Sequence, residues 1–393
     1  MSDKSSAKIA KFRDYSRVRY FDYILLGVVI MLLFFGLVML YSSSAYTASI
    51  RYGRPTYYLR KQLLFIVLGF LVMLVATVIK YDVLKRLVKL IYWGCVFLNI
   101  IVLFIGRSGN GSTRWIRVGG VQVQPSELMK IGIIIFFAYY ISTHTESLGR
   151  NAFNIRILAY LFIATIFVFI TNLTTAAIIA FIGFGMLLIA SRNKKPLYAL
   201  IIFALIVVTA AAFFVISKSN AEPGSYRLRR IYYWQHPEKA TQNAGFQVLQ
   251  GLYAIGSGGL FGKGIGASAT KLGNLPESQN DMIFSVIVEE LGVFGVVCLI
   301  LMYVLLLWRI YMIAVNAKDM FGSFLAIGVF LHLSVQVILN MLVVTNVLPN
   351  TGVTLPFISY GGSSLLCTMF EIGVVLSVSR QIRLDRIDLE EDF

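Results

Sequence analysis

The sequence predicts an all-α integral membrane protein of about ten transmembrane helices, with a large extracellular loop between the seventh and eighth. Three observations predict it. The 393 residues are 58% hydrophobic and only 14% charged, whereas a soluble domain carries about 25% charged residues. Apolar runs long enough to span a bilayer recur along the chain. The basic residues behind the net charge of +16 are spread among short connections and form no single stripe. That spread argues against nucleic-acid binding, which needs a continuous basic face. It fits loops held at an anionic inner leaflet.

The apolar runs fall at 20–43, 62–80, 87–106, 127–143, 155–172, 174–191, 197–217, 281–310, 322–346 and 356–379. The polar, basic segment 1–19 precedes a first run too long for a signal-peptide core, so that run is read as a retained helix. The fifth and sixth runs are separated only around Asn172-Leu173-Thr174-Thr175. Residues 380–393 form a polar tail after the 20–379 membrane domain. Basic clusters lie in the N-terminal segment (Lys4 to Arg19), after the sixth run (Arg192, Lys194, Lys195) and in the tail (Arg380, Arg383, Arg386). An even number of spans puts all three on one side, and the positive-inside rule makes that side the cytoplasm. The connection 218–280 is then extracellular, as are loops 44–61 and 107–126. These outer loops carry Lys61, Arg114, Arg227, Arg230 and Lys263, against the usual charge bias. An anionic ligand on the outer face explains them; ordinary exposed loop charge is the alternative.

The three cysteines, Cys95, Cys298 and Cys367, lie inside apolar runs with no Cys-x-x-Cys spacing, which fits packing residues. The stretch Gln124-Pro125-Ser126-Glu127-Leu128-Met129-Lys130 opens a helix at Pro125. Glu127 and Lys130, three apart, share a face and can pair. With Arg114 beside Trp115 they suit either an interfacial anchor or a phosphate clamp. The run Gly256–Gly264 lacks both the leading Gly and the Ser or Thr after Lys of a nucleotide P-loop. It reads as a tight outer loop whose backbone approaches a ligand. Asp281 opens the eighth helix as an N-cap, or acts as a general base whose pKa the helix end and nearby cations lower. Glu289 and Glu290, about two turns deeper, face protein or water. His332, Gln336 and Asn340 form an i, i+4, i+8 stripe suited to helix packing. Residues 348–363, with two prolines and three glycines, break any helix and read as a re-entrant wall of an outer cavity.

Together these blocks resemble the SEDS family (shape, elongation, division and sporulation), which includes FtsW, RodA and SpoVE. The matching stretches are Gly-Ser-Thr-Arg-Trp-Ile at 111–116, Gln-Pro-Ser-Glu-Leu-Met-Lys at 124–130 and Tyr-Arg-Leu-Arg-Arg-Ile at 226–231. They continue with Gly-Leu-Phe-Gly-Lys-Gly-Ile-Gly at 259–266, Leu-Pro-Glu-Ser-Gln-Asn-Asp at 275–281 and Pro-Asn-Thr-Gly-Val-Thr-Leu-Pro-Phe-Ile-Ser-Tyr-Gly-Gly-Ser at 349–363. The resemblance implies a peptidoglycan glycosyltransferase of the bacterial cytoplasmic membrane that polymerises lipid II by inverting transfer. It casts Asp281 as the base, and Arg114, Lys130 and Lys61, with Arg227 or Arg230, as pyrophosphate ligands. Glu127 would orient Lys130; Asn172, Glu289, Glu290, Ser359 and Gly361 would support the site. Asn172 departs from the Asp that many relatives carry there, which puts a charge-dependent role in doubt. The region around Tyr41 and Lys271–Pro276 leans to the FtsW or SpoVE branch. The implied partners are a class B penicillin-binding protein and other divisome or elongasome proteins.

Two rival functions compete. A lipid II flippase would show broken helices in paired halves, and only 348–363 reads as irregular. A non-catalytic scaffold leaves the outer cations and Asp281 without a purpose. No cofactor is required by any motif. A divalent cation, Mg or Mn, could bridge protein and pyrophosphate, although no all-protein metal cage is visible.

Overall fold

The computed structural model describes residues 17–109, 112–118, 121–148, 151–191, 193–195, 197–198, 226–239, 244–270 and 275–385. Among these, nine helices are long and apolar enough to cross a membrane. They are α1 (Tyr23–Tyr52), α2 (Tyr57–Val78), α3 (Asp82–Ile105), α4 (Pro125–Thr143), α5 (Asn151–Thr171) and α6 (Leu173–Ala190), then α9 (Ile283–Val315), α10 (Met320–Val344) and α11 (Gly362–Ser379). The expected run 197–217 lies outside the described residues beyond its first two. Two shorter helices, α7 (Tyr226–Gln235) and α8 (Ala244–Gly258), occupy the connection read from sequence as one long loop.

Several expected boundaries move. The outer loop expected at 44–61 is mostly helix, because α1 runs on to Tyr52 and ends where Gly53 adopts φ 66°. Its serine run does not break it: the Ser43 and Ser44 hydroxyls donate back to the Leu40 carbonyl at 3.2 and 2.7 Å. The 30 residues of α1 extend about 45 Å, more than a bilayer core. The connection expected at 107–126 instead holds a three-stranded antiparallel ribbon. Its strands are Arg107–Gly109, Ser112–Val118 and Val121–Val123. The last apolar run starts its helix at Gly362, so residues 345–361 are not helical.

The centre of the bundle is α4, α10 and α11. Of the apolar window of α11, 78% is buried inside the protein, against 28% for α2. The remaining face of α2 is left for lipid. The buried helices carry the intramembrane charges, turned inward as desolvation requires. Lys130 on α4 lies 3.0 Å from Glu127 Oε1 and donates to Gln336 on α10 at 3.2 Å. His332 on α10 pairs with Glu371 on α11 at 2.7 Å.

The first and last described segments meet at one end of the bundle. Arg17–Arg19 pairs antiparallel with Arg383–Asp385. Behind them the buried Asp22 caps α1 through Leu25 N at 2.8 Å and binds Arg309 of α9 at 2.8 Å. The first helix therefore starts where the last one ends, as an even number of spans requires.

Two non-helical backbones shape the opposite end. Helix α9 breaks at Gly292, which adopts φ 66°, ψ −164°. The glycine-rich loop after α8 satisfies the break. Lys263 and Gly264 N–H donate to the Glu289 and Glu290 carbonyls at 2.9 Å each, and Val293 and Phe294 N–H donate to the Gly259 and Leu260 carbonyls at 3.1 Å each. Two of the glycines, Gly258 and Gly262, serve contact between two backbones: a Cβ at Gly262, itself at φ +74°, would sit 2.2 Å from Glu290 O. The second such backbone, 345–361, is irregular, as read over 348–363 from its prolines and glycines, and is mostly buried from Val353 to Ser359. Side chains reach in to satisfy it. Tyr303 donates to Pro356 O at 2.6 Å, Gln336 to Thr354 O at 3.1 Å and Asn340 to Val353 O at 2.7 Å.

Candidate active site

Asp281 lies in the turn before α9, two residues ahead of its first helical residue. The N-cap is Met282, and no side chain caps the helix there. The capping role expected for Asp281 is therefore not what holds it. Its carboxylate turns toward α8, where Gln247 Nε2 donates to Oδ1 at 3.2 Å. Its carbonyl accepts from Asn340 of α10 at 2.9 Å, and the same amide reaches Val353 O. The other carboxylate oxygen faces Gly352 of the re-entrant segment, where an added Cβ would lie 3.7 Å away. Four elements thus meet at Asp281, two of them, α8 and the re-entrant segment, at its carboxylate.

Its acidity departs from expectation. The Asp281 carboxyl is pushed up from 3.8 to about 7, by burial first and by the Glu277 charge second. Its own backbone N–H, Arg230 and Gln247 oppose this without overcoming it. Sequence reasoning counted the helix end and the cations but not the desolvation that packing imposes. A carboxylate near neutrality is a better base at physiological pH than one held near 3.

The predicted cations do not all gather round it. Arg230 is the described cation whose charge acts on Asp281, and it lines a small cavity with Tyr233, Trp234 and Asn350. Arg227 lies in α7, but its side chain is outside the described residues. Lys130 is 1% exposed and committed to Glu127 and Gln336. The predicted Glu127–Lys130 pair therefore forms, but inside the bundle. Arg114 Nε donates to Thr171 O at 3.2 Å, at the corner between α5 and α6. Lys61 is exposed, bound to Tyr57 OH at 2.6 Å and over its ring at 4.4 Å.

The supporting residues have definite places. Asn172 is the one-residue corner between α5 and α6; its Oδ1 accepts Thr175 N–H at 3.3 Å and caps α6. An amide and a carboxylate cap equally well. Glu289 binds Lys263 Nζ at 2.8 Å, the Ala269 N–H at 3.2 Å and the hydroxyls of Ser268 and Thr270. Glu290 accepts from Ser42 of α1 at 2.7 Å. Ser359 Oγ accepts Leu355 N–H at 2.8 Å, and Gly361 is the N-cap of α11. Among the described residues, no group of three or more His, Cys, Asp or Glu is placed to hold a metal ion.

Sequence reasoning missed Gln247, the amide of Asn350 and Glu371. Glu371 had a signal, an acid in the middle of an apolar run. Gln247 had none, since an isolated glutamine in a polar connection is unremarked until the fold sets it against Asp281.

Comparison with known proteins places this geometry. Residues 23–384 match the family profile of FtsW, RodA and SpoVE, described as cell cycle protein. The probable peptidoglycan glycosyltransferase FtsW of Geobacter sp. (strain M18) is 35% identical over 371 residues, 93% of this chain and 99% of that one. Stage V sporulation protein E of Bacillus subtilis (strain 168) is 36% identical over 367 residues, 92% of this chain and 98% of that one. The crystal structure of the Thermus thermophilus rod shape determining protein RodA superposes with TM-score 0.68 at 26% identity, covering 92% of this chain and 97% of that one. A chain solved in a peptidoglycan synthase complex that coordinates polymerization and crosslinking superposes with TM-score 0.74 at 26% identity, covering 92% and 98%. By full-length sequence match and shared fold, the chain belongs to the FtsW, RodA and SpoVE family.

Proposed function

We propose that this protein is a peptidoglycan glycosyltransferase that polymerises lipid II into glycan strands for cell division or sporulation wall synthesis. The observation that carries the reading is Asp281: a half-buried carboxylate of near-neutral pKa within the field of Arg230, held by the neutral Gln247 amide, with its backbone held by Asn340, at the meeting of four elements. In the proposed step the acceptor sugar hydroxyl loses its proton to Asp281. Its oxygen bonds to the anomeric carbon of the growing chain, whose bond to pyrophosphate breaks with inversion. The leaving pyrophosphate carries the charge that cations must stabilise. Arg230 is placed for this, with Arg227 in the same helix. Lys61 and Arg114 are suited to later contact with the lipid-linked phosphates, and Lys130 acts through Glu127 and the core. A divalent cation, Mg or Mn, would draw most of its ligands from pyrophosphate and water. The positive-inside rule places the Asp281 end outside the cytoplasmic membrane and both termini in the cytoplasm. The partner is a class B penicillin-binding protein, since the chain carries no transpeptidase motif.

The test is polymerisation of labelled lipid II by the purified protein with its partner transpeptidase, for wild type and Asp281→Asn. Glycan strands from wild type alone, at equal folding and partner binding, support the reading. Equal activity in both removes Asp281 from the chemistry. Absence of strands from either favours a flippase or a scaffold, which a lipid II translocation assay separates.

A further inference from the structure

We infer that Gln247 and Asn350 form a positioning pair for Asp281: Gln247 holds one carboxylate oxygen, and Asn350 fixes which end of the Gln247 amide faces it. The inference rests on the reading of Asp281 as the base.

The argument starts from a backbone N–H, whose role as donor is fixed. Gly352 N donates to Asn350 Oδ1 at 3.3 Å. That turns the Asn350 amide so that Nδ2 faces the other way, where it donates to Gln247 Oε1 at 3.2 Å. With its oxygen thus occupied, Gln247 presents Nε2 to Asp281 Oδ1 at 3.2 Å. Every bond in the chain has one allowed direction, and the chain ends on the carboxylate. Gln247 and Asn350 are both buried, so water does not offer the amide an easy alternative partner.

The three residues come from different elements: α8, the re-entrant segment and the turn before α9. Helix α8 is itself seated against α9, with Met282 Cε 2.9 Å from where a Gly251 Cβ would stand. With Oδ1 held, Oδ2 faces Gly352, and the geometry assigns Oδ2 as the oxygen that takes the acceptor proton. A neutral donor suits the task. A Lys or Arg in place of Gln247 would hold the carboxylate ionised and too weak a base, whereas an apolar residue would leave it unaimed. Among the described residues, the charged groups acting on Asp281 are Glu277 of its own turn and Arg230 of α7; α8 and the re-entrant segment contribute amides.

The experiment uses the full-length protein with its partner transpeptidase and measures initial rates of lipid II polymerisation from pH 5.5 to 9. The variants are Gln247→Met, Asn350→Leu and the double substitution. Gln247→Met is expected to move the acid limb of kcat upward by about one pH unit. It should also lower the plateau kcat at least tenfold while KM changes less than threefold. Asn350→Leu is expected to shift both in the same direction by less. The double variant should match Gln247→Met alone, because Asn350 acts through Gln247. An unmoved limb with wild-type kcat in Gln247→Met overturns the inference. So does a double variant whose loss is the product of the two single losses. If Gln247→Met does not fold, an unmoved limb in Asn350→Leu is the overturning result. Asp281→Asn, run alongside, separates the failures: full activity there removes the base itself, whereas an inactive Asp281→Asn with an unmoved Gln247→Met limb removes only the positioning pair.

Discussion

Replacing Gly258 with alanine should destabilise the protein, although the same change two residues earlier should not. Both glycines lie in α8 (Ala244–Gly258), and an alanine there gains up to about 1 kcal/mol of helix propensity. At Gly256 an added Cβ meets nothing within 4 Å, so the propensity gain stands. At Gly258 it would lie 2.1 Å from Val288 O and 2.9 Å from Val288 C. A carbon approaches a carbonyl oxygen to about 3.3 Å, so α8 must back away from α9 by roughly 1 Å. The obstacle is backbone and does not rotate aside. Immediately beyond lie the four hydrogen bonds between the 259–264 loop and the Gly292 break. Overpacking costs about 1–3 kcal/mol, and each buried carbonyl stripped of its donor costs about 1–3 kcal/mol more. Losing two of the four gives a net loss of about 2 kcal/mol or more after the propensity gain. The assay is denaturant or thermal unfolding of the purified protein in detergent, followed by tryptophan fluorescence. Gly258→Ala as stable as Gly256→Ala would refute the seating of α8 on the helix break.

Three further outcomes are expected. Polymerisation should rise as pH passes upward through about 7, where Asp281 ionises. Its raised pKa means the folded state binds more protons than the unfolded chain between the ordinary carboxylate range and about 7, so ionising it costs stability. Asp281→Asn should therefore unfold at higher denaturant than wild type at pH 8, with the difference shrinking as pH falls below about 7 and vanishing only below the ordinary carboxylate range, under about pH 4. Asn172→Asp should leave stability within about 0.5 kcal/mol, and Asn172→Ala should lose about 1 kcal/mol, in the same unfolding assay. Replacing His332 alone by Leu should cost about 3–5 kcal/mol by leaving Glu371 buried and unpaired, whereas His332→Leu with Glu371→Met should recover most of it. Equal losses in the single and double variants would show that the pair does not carry the packing of α10 on α11.

The membrane class, the helix runs and the family blocks were legible because each rests on local pattern. Apolar length near twenty residues marks a span, proline and glycine in 348–363 exclude a helix, and spacing alone pairs Glu127 with Lys130. Boundaries were less legible where side chains satisfy backbone locally. The serines after Tyr41 looked like a loop but bond back within α1. The pairing of the 259–264 loop with the Gly292 break was not legible, because the break lies about thirty residues further on and shows no proline.

By itself, then, the sequence determined that this chain is a multi-pass helical membrane protein of a known family, and it singled out Asp281 as the candidate base. Composition, period and motif order are properties of the chain. Only the tertiary structure decided how Asp281 behaves. Its pKa near 7 arises from the desolvation that packing imposes, with Glu277 adding to it, and its placement comes from Gln247, Asn340 and Asn350, residues 34, 59 and 69 positions away along the chain. Lys130 shows the converse: its sequence context suggested a ligand clamp, and burial against Glu127 and Gln336 turned it inward. Electrostatics depends on what surrounds a charge in space, and that is settled only when the helices pack.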